Sequence, residues 1–277
     1  MRSMLLARNG ALASLCYTIC KEWAHPMDTK NYINIDASKR NSHVYRYIKL
    51  HRLYQLFAER ENVLVLPSMW EDPFENFILK AKTRDRDGTV HEFGFRDRLY
   101  GQCWTTESRS DAMWRIYSQK ADHGRFDGVR VRTTVKRLAE SLTARMTFGD
   151  VKHAFIGRVE YLPDTKLFES ASKIFAKGLT PRTVASTLLV KRNAFRHEKE
   201  VRLVYRKLFG DPAQEGKLRY KVDPHDLVDQ IILDPRVNPA EIKAMKNEIA
   251  ARTGFKGEVK WSLLYKAPKS FIFQVSI

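Results

Sequence analysis

The chain has 277 residues, and 43% of them are hydrophobic, which is enough for a sizeable buried core and excludes an intrinsically disordered protein. Lys and Arg total 49 against 32 acidic residues, so the formal net charge at pH 7 is +17. A surplus of this size attracts polyanions, namely nucleic acid, anionic lipid or an acidic protein.

The N-terminus and the cysteines bear on the compartment. Residues 4–20 are mildly apolar, but Arg8, Asn9 and Gly10 interrupt them and no convincing cleavage site follows. We therefore predict an uncertain N-terminal extension over residues 1–26, followed by a single domain over residues 27–277. Cys16, Cys20 and Cys103 lack the spacing of a zinc site, and their small, odd number is typical of a reducing cytoplasm. Because no stretch is apolar enough to span a membrane, we expect a cytoplasmic protein. The cysteine spacing leads us to expect no metal site.

In the first half of the chain, local patterns predict short strands that alternate with helices. Apolar residues at helical spacing predict a helix over residues 49–60. Ser110 is a typical N-cap for a second helix that runs to Gln119. The loop between these helices contains Asp72 and Glu75, which could line a cleft. Strands are predicted over residues 45–48, 63–66, 100–106 and 128–133.

The second half of the chain continues the mixed pattern. Asn238 as N-cap, Pro239 at the first helical position and Glu241 in the first turn predict the start of a helix. Gly254 marks its end. The segment 183–189 fits a helix or a strand. Strands are predicted over residues 158–162, 200–206, 260–264 and 271–277, and residues 227–233 are a further apolar segment. This irregular mixture predicts an α+β fold.

Three short segments combine residue types that carry out chemistry. Residues 45–47 (Tyr-Arg-Tyr) lie on the first predicted strand, residues 103–108 (Cys-Trp-Thr-Thr-Glu-Ser) end a middle strand, and residues 198–200 (Glu-Lys-Glu) begin a late strand. On a strand, Glu198 and Glu200 would point to the same face about 7 Å apart. Each segment also has an ordinary structural explanation, since ion-paired arginines, strand-forming threonines and solvated charge pairs are common in sheets.

The order of these segments resembles that of the ADP-ribosyltransferases, which carry an early Arg or His, a central Ser/Thr-rich strand and a late Glu, often in a Glu-x-Glu element. The resemblance implies an ADP-ribosyltransferase-like α+β fold, with a split, mostly antiparallel β-sheet core and flanking helices. It also implies that NAD is the substrate, that ADP-ribose passes to an acceptor and that nicotinamide is released.

The chemistry of NAD fits the residues of these segments. The guanidinium of Arg46 matches the pyrophosphate oxygens. Cleavage of the nicotinamide–ribose bond develops an oxocarbenium-like ribose, which the carboxylate of Glu200 would stabilise. Glu198 would position or deprotonate the acceptor, so these three residues are the predicted catalytic set. Tyrosine rings would stack on a base or on nicotinamide, and threonine hydroxyls would brace the late Glu or the ribose. The predicted NAD-binding set is Arg46, Tyr47, Trp104, Thr105, Thr106 and Tyr117.

A longer set of motifs extends the comparison to most of the chain. It comprises Tyr45-Arg46-Tyr47, Asp72-Pro73-Phe74-Glu75, Cys103-Trp104, Met113-Trp114, Tyr117, His197-Glu198-Lys199-Glu200-Val201-Arg202 and Gln230-Ile231-Ile232-Leu233-Asp234-Pro235. Over about residues 45–234 these motifs resemble a bacterial family catalogued as domain of unknown function twenty-nine-seventy-one.

A more remote resemblance is to the nucleic-acid-modifying toxins among the ADP-ribosyltransferases. In that comparison Arg46 matches the early basic residue, Met113 the helix-start Met and Glu200 the late Glu. Thr105 and Thr106 depart from a strict Ser-Thr-Ser motif, which leaves the choice between the Arg-Ser-Glu and His-Tyr-Glu classes open. The resemblance implies a bacterial toxin or anti-phage effector with a neutralising antitoxin protein.

The positive charge favours a nucleic-acid acceptor. Residues 182–207 contain eight basic and two acidic residues around the Glu-Lys-Glu segment. We expect RNA, or single-stranded DNA, because bases in single strands are reachable without the cost of flipping them out of a duplex. The residues predicted to meet the phosphates of the acceptor are Arg192, Arg196 and Arg202.

Two alternatives come from other functional classes. A nucleic-acid-binding module without catalysis would use the same basic segment and would leave NAD unchanged. A hydrolase would be either an NAD glycohydrolase or a metal-dependent nuclease, and the sequence offers no evident acidic metal cluster for the nuclease.

Overall fold

The computed structural model describes residues 26–84, 87–121, 124–176, 178–267 and 274. Within these ranges the chain forms a mixed α/β structure whose largest sheet is mostly antiparallel, which confirms the predicted α+β class at that level. Residues 1–25 of the predicted N-terminal extension lie outside the described residues. So does the predicted strand over residues 271–277, apart from Gln274.

Ten of the described strands form one sheet. The strands of the described residues are β1 Tyr32–Ile33, β2 His43–Lys49, β3 Glu61–Val65, β4 Lys82–Arg84, β5 Val90–Glu92, β6 Leu99–Thr105, β7 Gly128–Thr134, β8 Ala154–Arg158, β9 Glu160–Leu162, β10 Val190–Arg192, β11 Glu200–Arg206, β12 Lys217–Lys221, β13 Gln230–Leu233 and β14 Glu258–Trp261. The large sheet has the order β1-β8-β11-β6-β2-β7-β13-β14, with β3 joined to β6 and β12 joined to β3. Its outer pairs β1–β8 and β13–β14 are parallel, and its other pairs are antiparallel.

Helices fill the connections between the strands. Ser110 caps the helix Asp111–Tyr117 by accepting a hydrogen bond from the Met113 backbone, as predicted, and Gly254 ends the helix Ile242–Thr253 in the left-handed conformation. The ambiguous segment 183–189 proves to be mainly helical. The α-helices of the described residues are α1 Leu50–Glu59, α2 Phe77–Lys80, α3 Asp111–Tyr117, α4 Val135–Thr143, α5 Phe148–Val151, α6 Asp164–Phe175, α7 Pro181–Ser186, α8 Pro224–Leu227 and α9 Ile242–Thr253.

The two halves of the large sheet meet at a single residue pair. β11 and β6 pair along seven residues, and so do β2 and β7. Between β6 and β2, both fully described, the one pair is Thr105 with Tyr45. The two strands therefore diverge from this pair, and the sheet is split between β2 and β6.

Apolar residues pack against the large sheet in separate clusters. One cluster joins α1, α4 and α9 to the sheet through residues such as Leu53, Leu138 and Ile249. A second cluster joins α7 to it through Val184 and Ala185. β11 lies between β8 and β6 and is buried from its first residue to its sixth. Polar side chains on such a strand need partners inside the protein, because water cannot reach them.

One predicted strand is divided in the structure. Residues 158–162 were expected to form a single strand, but β8 ends at Arg158, and β9 belongs to a separate two-stranded sheet with β10. The reason lies in the backbone partners at this point. The N–H of Val159 donates to the carbonyl of Glu200, whereas the N–H of Glu160 donates to the carbonyl of Leu189, so the chain leaves one sheet and joins another.

Candidate active site

A cleft of about 510 Å³ occupies the split between β2 and β6, and we call it the central cleft. Residues of β2, β3, β6 and α3 form its walls. Every predicted catalytic or NAD-binding residue except Thr106 lines it. The lining residues that the sequence had singled out are Tyr45, Arg46, Tyr47, Cys103, Trp104, Thr105, Met113, Tyr117, Glu198 and Glu200.

Arg46 brings a positive charge into the central cleft. It is half-buried on β2, and within the described part of the chain its guanidinium has no hydrogen-bond or ion-pair partner. Burial lowers the pKa of this guanidinium, although an arginine stays protonated at physiological pH. An unpaired cation in a half-buried cleft favours the binding of an anion.

Five charged side chains form a buried group at the wall of the central cleft. Lys191 Nζ lies 2.7 Å from Glu75 Oε1 and 2.5 Å from Glu198 Oε2. It also lies 2.8 Å from Glu200 Oε1. The guanidinium of Arg202 is 2.5 Å from Glu200 Oε2 and 2.9 Å from Glu75 Oε2. We refer to these five residues as the carboxylate cluster; the most exposed side chain among them is that of Glu198, at 11%.

The carboxylate cluster contains three acids and two cations. One carboxylate is expected to keep a proton at neutral pH, because an unbalanced buried charge is costly. Burial, together with the adjacent carboxyl group of Glu200, raises the pKa of Glu198 to about 8. Burial also acts to raise the pKa of Glu200, but Arg202, the hydrogen bond with Glu198 and Lys191 outweigh it and hold this pKa below its usual range. Glu198 is thus the acid that can exchange a proton near neutral pH.

The two glutamates of the Glu-Lys-Glu segment approach each other by an unpredicted route. Glu198 ends the 3₁₀ helix Asn193–Glu198, and β11 begins only at Glu200. Between them Lys199 takes a left-handed conformation with a φ of 44°. The prediction that both carboxylates point from one strand is therefore wrong. Their side chains converge because both bind Lys191.

Hydroxyl groups at the end of β6 hold the backbone of the same segment. The hydroxyl of Thr105 donates a hydrogen bond to the carbonyl of Glu198 at 2.5 Å. The hydroxyl of Thr106 donates to the carbonyl of Lys199 at 3.2 Å. The two threonines thus contact the backbone beside the late Glu, and Thr106 does not line the central cleft.

The three predicted aromatic contacts of NAD differ in exposure. Tyr47 is 4% exposed and packs edge-on against Trp114, with ring centroids 4.8 Å apart. Trp104 is also buried, and its indole N–H donates to Gln102 at 2.7 Å. Tyr117, at 42% exposed, is the member of the three with an open ring.

The three arginines predicted to meet the acceptor's phosphates lie in different environments. Arg202 has no exposed side-chain surface, and each of its three nitrogens donates to a buried acceptor. The prediction for Arg202 is therefore wrong, because a guanidinium fully engaged inside the sheet cannot reach a phosphate. Arg192 stacks over Phe74 at 4.3 Å and pairs with Asp72 at 3.1 Å. Arg196 is exposed.

Lys191, which links the three acids of the carboxylate cluster, was not predicted from the sequence. Lys191 is 6% exposed on β10, directly after the apolar residues 188–190. A lone lysine at the end of an apolar run is a signal for a buried carboxylate partner. Glu75 was considered only as a cleft residue, and it binds Lys191 and Arg202 behind the cleft instead.

The described ranges contain neither a metal-binding group of side chains nor a helix that could span a membrane. There, no three His, Cys, Asp or Glu side chains are grouped so that they could hold a metal ion. None of the helices described is both long enough and apolar enough to cross a bilayer.

Comparisons with known proteins give limited similarity. No protein-family model matches the chain, and no curated protein matches it. Three solved structures of Thermus sp. 2.9 DarT are similar to it, in complex with carba-NAD+ (14% identity, TM-score 0.36), with NAD+ (11% identity, TM-score 0.38) and with ADP-ribosylated ssDNA (10% identity, TM-score 0.36). The likeness covers 80–83% of this chain and 96% of each DarT chain. At these TM-scores it does not establish a shared fold.

Proposed function

We propose that the protein is an NAD-dependent transferase that attaches ADP-ribose to a nucleic acid. The observation that carries this proposal is the content of the central cleft, where the unpaired Arg46 and the carboxylates of Glu198 and Glu200 line one cavity in the split of the sheet. NAD offers matching charges, since its pyrophosphate needs a cation and its ribose needs an anion during bond cleavage. A split antiparallel sheet is also what the resemblance to the ADP-ribosyltransferases implies.

The reaction can be written with each residue in one role. Arg46 holds the pyrophosphate of NAD. The bond between nicotinamide and ribose breaks, its electron pair leaves with nicotinamide, and Glu200 stabilises the positive charge that develops on the ribose. A nucleophilic atom of the acceptor forms the new bond to the ribose, and its proton passes to the carboxylate of Glu198. Tyr117 offers its exposed ring to the nicotinamide or the base.

The acceptor is proposed to be RNA, or single-stranded DNA. The basic side chains of Arg192 and Arg196 lie on the segment that leads to Glu198, where a strand entering the cleft would pass. Bases of a single strand reach a cleft without being flipped out of a duplex. The DarT complexes named above hold NAD+ and ADP-ribosylated ssDNA, but their similarity to this chain is too low to support the proposal.

The biological role proposed here follows the resemblance stated from the sequence. The protein would be a cytoplasmic toxin or anti-phage effector of a bacterium, neutralised by an antitoxin protein, with one catalytic domain over residues 27–277. Its family would be the domain of unknown function twenty-nine-seventy-one. Co-expression with genes of the same operon would identify a neutralising partner by restored growth, and unrelieved toxicity with every such gene would contradict this role.

The direct test is transfer of label from adenylate-labelled NAD to RNA, single-stranded DNA, duplex DNA or protein. The informative variants are Arg46→Gln and Glu198→Gln, since both residues line the central cleft and neighbouring side chains do not fully balance the charge of either one. Glu248→Gln is a matched control, because Glu248 is a partly buried carboxylate that pairs with Arg125 outside the cleft. Label on nucleic acid that is lost in the two variants and kept in the control supports the proposal. Label on protein alone contradicts the acceptor, and intact NAD with every acceptor contradicts the transferase.

An NAD glycohydrolase is the second candidate for the same site. The carboxyl group of Glu198 supports a glycohydrolase as well as a transferase, because Glu198 could take a proton from water as well as from an acceptor. Nicotinamide release that proceeds equally with and without nucleic acid would favour the glycohydrolase over the transferase.

A further inference from the structure

Arg130 is a second arginine without an ionic partner. It lies on β7, is 8% exposed, and its Nε has no hydrogen-bond partner. Its guanidinium stacks over the ring of Tyr45 at 4.6 Å, and within the described ranges no carboxylate pairs with it. A guanidinium buried in this way has lost hydration without gaining a counter-charge, and a bound anion would offset that cost.

The surroundings of Arg130 are positively charged. Burial lowers the pKa of Arg130, and the charges of Arg132 and Arg109 lower it further, whereas Tyr47 and Tyr45 act in the opposite direction. Asp229 does not compensate this charge, because it already pairs with Arg132 at 2.5 Å and with Arg137 at 3.2 Å. Arg109 is exposed on the loop between β6 and α3. An anion at Arg130 would therefore be attracted by more than one cation.

Tyr45 connects Arg130 to the central cleft. Arg130 stacks over the ring of Tyr45, and Tyr45 lines the central cleft. Tyr45 also forms, with Thr105, the one residue pair between β2 and β6. Thr105 in turn donates to the carbonyl of Glu198. Arg130 thus packs on a residue of the cleft lining whose strand partner, Thr105, holds the backbone of Glu198.

We propose that Arg130 binds a backbone phosphate of the acceptor strand beside Tyr45, a proposal that rests on the transferase function. The ligand is a phosphodiester, and two sources of phosphate exist, NAD and the acceptor. Arg130 is paired across the sheet with Tyr47, so the neighbouring Arg46 points to the opposite face. One phosphate group therefore does not contact both arginines, and oligonucleotide binding measured without NAD distinguishes the two sources of phosphate.

The test is binding of a labelled single-stranded oligonucleotide, measured without NAD over a range of salt concentrations. Each phosphate contact contributes about 0.7 to the slope of log affinity against log salt concentration for a single strand. Arg130→Gln is expected to reduce that slope by about 0.7 and to weaken binding about tenfold at moderate salt. Arg130→Lys keeps the charge and is expected to keep the parental slope.

Arg252→Gln is the matched control for this experiment. Arg252 also stacks over a tyrosine, Tyr54, at 3.8 Å, but it pairs with Glu248 and lies outside the central cleft. Its substitution is expected to leave the salt slope unchanged. Equal slopes in Arg130→Gln and in the parent would overturn the proposal. Weaker NAD binding with unchanged oligonucleotide binding would also overturn it, because the phosphate would then belong to the dinucleotide.

Thermal unfolding separates loss of binding from loss of folding. Arg130→Gln removes an uncompensated buried charge, so its melting temperature is expected to be at least that of the parent. A clear decrease would assign Arg130 a structural role and contradict the proposal. Because oligonucleotide binding is measured without NAD, failure of the proposed transferase function and failure of the proposal for Arg130 give different results. An inactive protein whose oligonucleotide binding depends on Arg130 contradicts the transferase function. An active transferase whose oligonucleotide binding does not depend on Arg130 contradicts the proposal for Arg130.

Discussion

Single residues of the central cleft differ in how fully their charges are compensated. Arg46 has no partner within the described ranges, whereas both oxygens of Glu200 are bound, one by Lys191 and one by Arg202. Glu198 lies between these extremes, with one oxygen bound by Lys191 and a proton held near neutral pH. Because their charges are not fully balanced by neighbouring side chains, Arg46 can still pair with a ligand and Glu198 can still exchange a proton with one. The two ion pairs of Glu200 hold its carboxylate in a fixed position.

Glu198 is expected to make the folded protein less stable as the pH rises. Its pKa is about 8 in the folded protein and about 4.5 in the unfolded chain, so the folded state binds more protons between these values. This stabilisation is complete below about pH 4.5 and is lost as the pH rises through about 8. Urea unfolding at pH 6 and pH 9 should show a smaller decrease in the free energy of unfolding for Glu198→Gln than for the parent. Identical decreases would contradict the raised pKa.

The same carboxyl group should control the proposed transfer. If Glu198 accepts the proton of the acceptor, it must be ionised, and the initial rate should rise as the pH increases through about 8. Glu198→Gln should lower the rate roughly 10²–10⁴-fold and remove this rise. A parental rate that falls over the same pH range would instead make Glu198 a proton donor.

At the scale of secondary structure, ion pairs join β10 to three other elements, namely β11 and the 3₁₀ helices Pro73–Asn76 and Asn193–Glu198. Lys191 of β10 binds acids from all three neighbouring segments, so its role is to link elements that are distant in sequence. Breaking a buried ion pair by removing one partner typically costs more than the pair contributes, because the remaining charge is left unbalanced.

Lys191→Met is expected to lower the free energy of unfolding by about 3–5 kcal/mol, since three acids would then face Arg202 alone. Adding Glu198→Gln should recover part of that loss, because it removes one surplus acid. Denaturant unfolding of the two single variants and the double variant gives the coupling energy. Strictly additive losses would show that the two residues do not interact as described.

Gly101 of β6 allows Trp70 to lie close to the strand. A Cβ at this position would lie 2.8 Å from the ring of Trp70, which also stacks on Arg202 at 4.5 Å. Gly101→Ala should therefore push the ring against the carboxylate cluster and lower the free energy of unfolding by about 1–3 kcal/mol. Gly94→Ala is the control, because a Cβ there meets no atom within 4 Å. Equal stability of the two variants would contradict this packing argument.

At the scale of the whole molecule, the central cleft lies where the two half-sheets meet at one residue pair. A ligand that contacts Arg46 on β2 and Glu198 beside β11 bridges both halves. NAD is therefore expected to stabilise the protein, by about 2.7 kcal/mol at a concentration one hundred times its dissociation constant. Thermal unfolding with increasing NAD should show this shift in the parent and in Arg252→Gln, but not in Arg46→Gln. No shift in the parent at millimolar NAD would contradict binding in this cleft.

Several parts of the fold were predictable because they depend on neighbours within a few residues. The apolar pattern of α1, the cap of Ser110 on α3 and the aromatic strand β2 are set by backbone geometry and local side chains. The bounds of these elements differ from the predicted ones by one or two residues, as fraying and shared caps allow. The mostly antiparallel sheet has a different origin, because its paired strands, such as β2 with β7 and β6 with β11, are distant in the sequence.

The sequence by itself determined the net charge, the main strands and the residue types available for chemistry. Only the tertiary structure decided which charges are buried and paired. Arg202 was predicted to be available to a ligand, but it binds Glu75, which is 127 positions away, and Lys191 was not predicted at all. The physical reason is that local patterns reflect short-range backbone energies. Whether a charge is balanced by a partner depends instead on which strands become neighbours in the sheet. Here β11 pairs with β6 and β8, which are distant from it in the sequence.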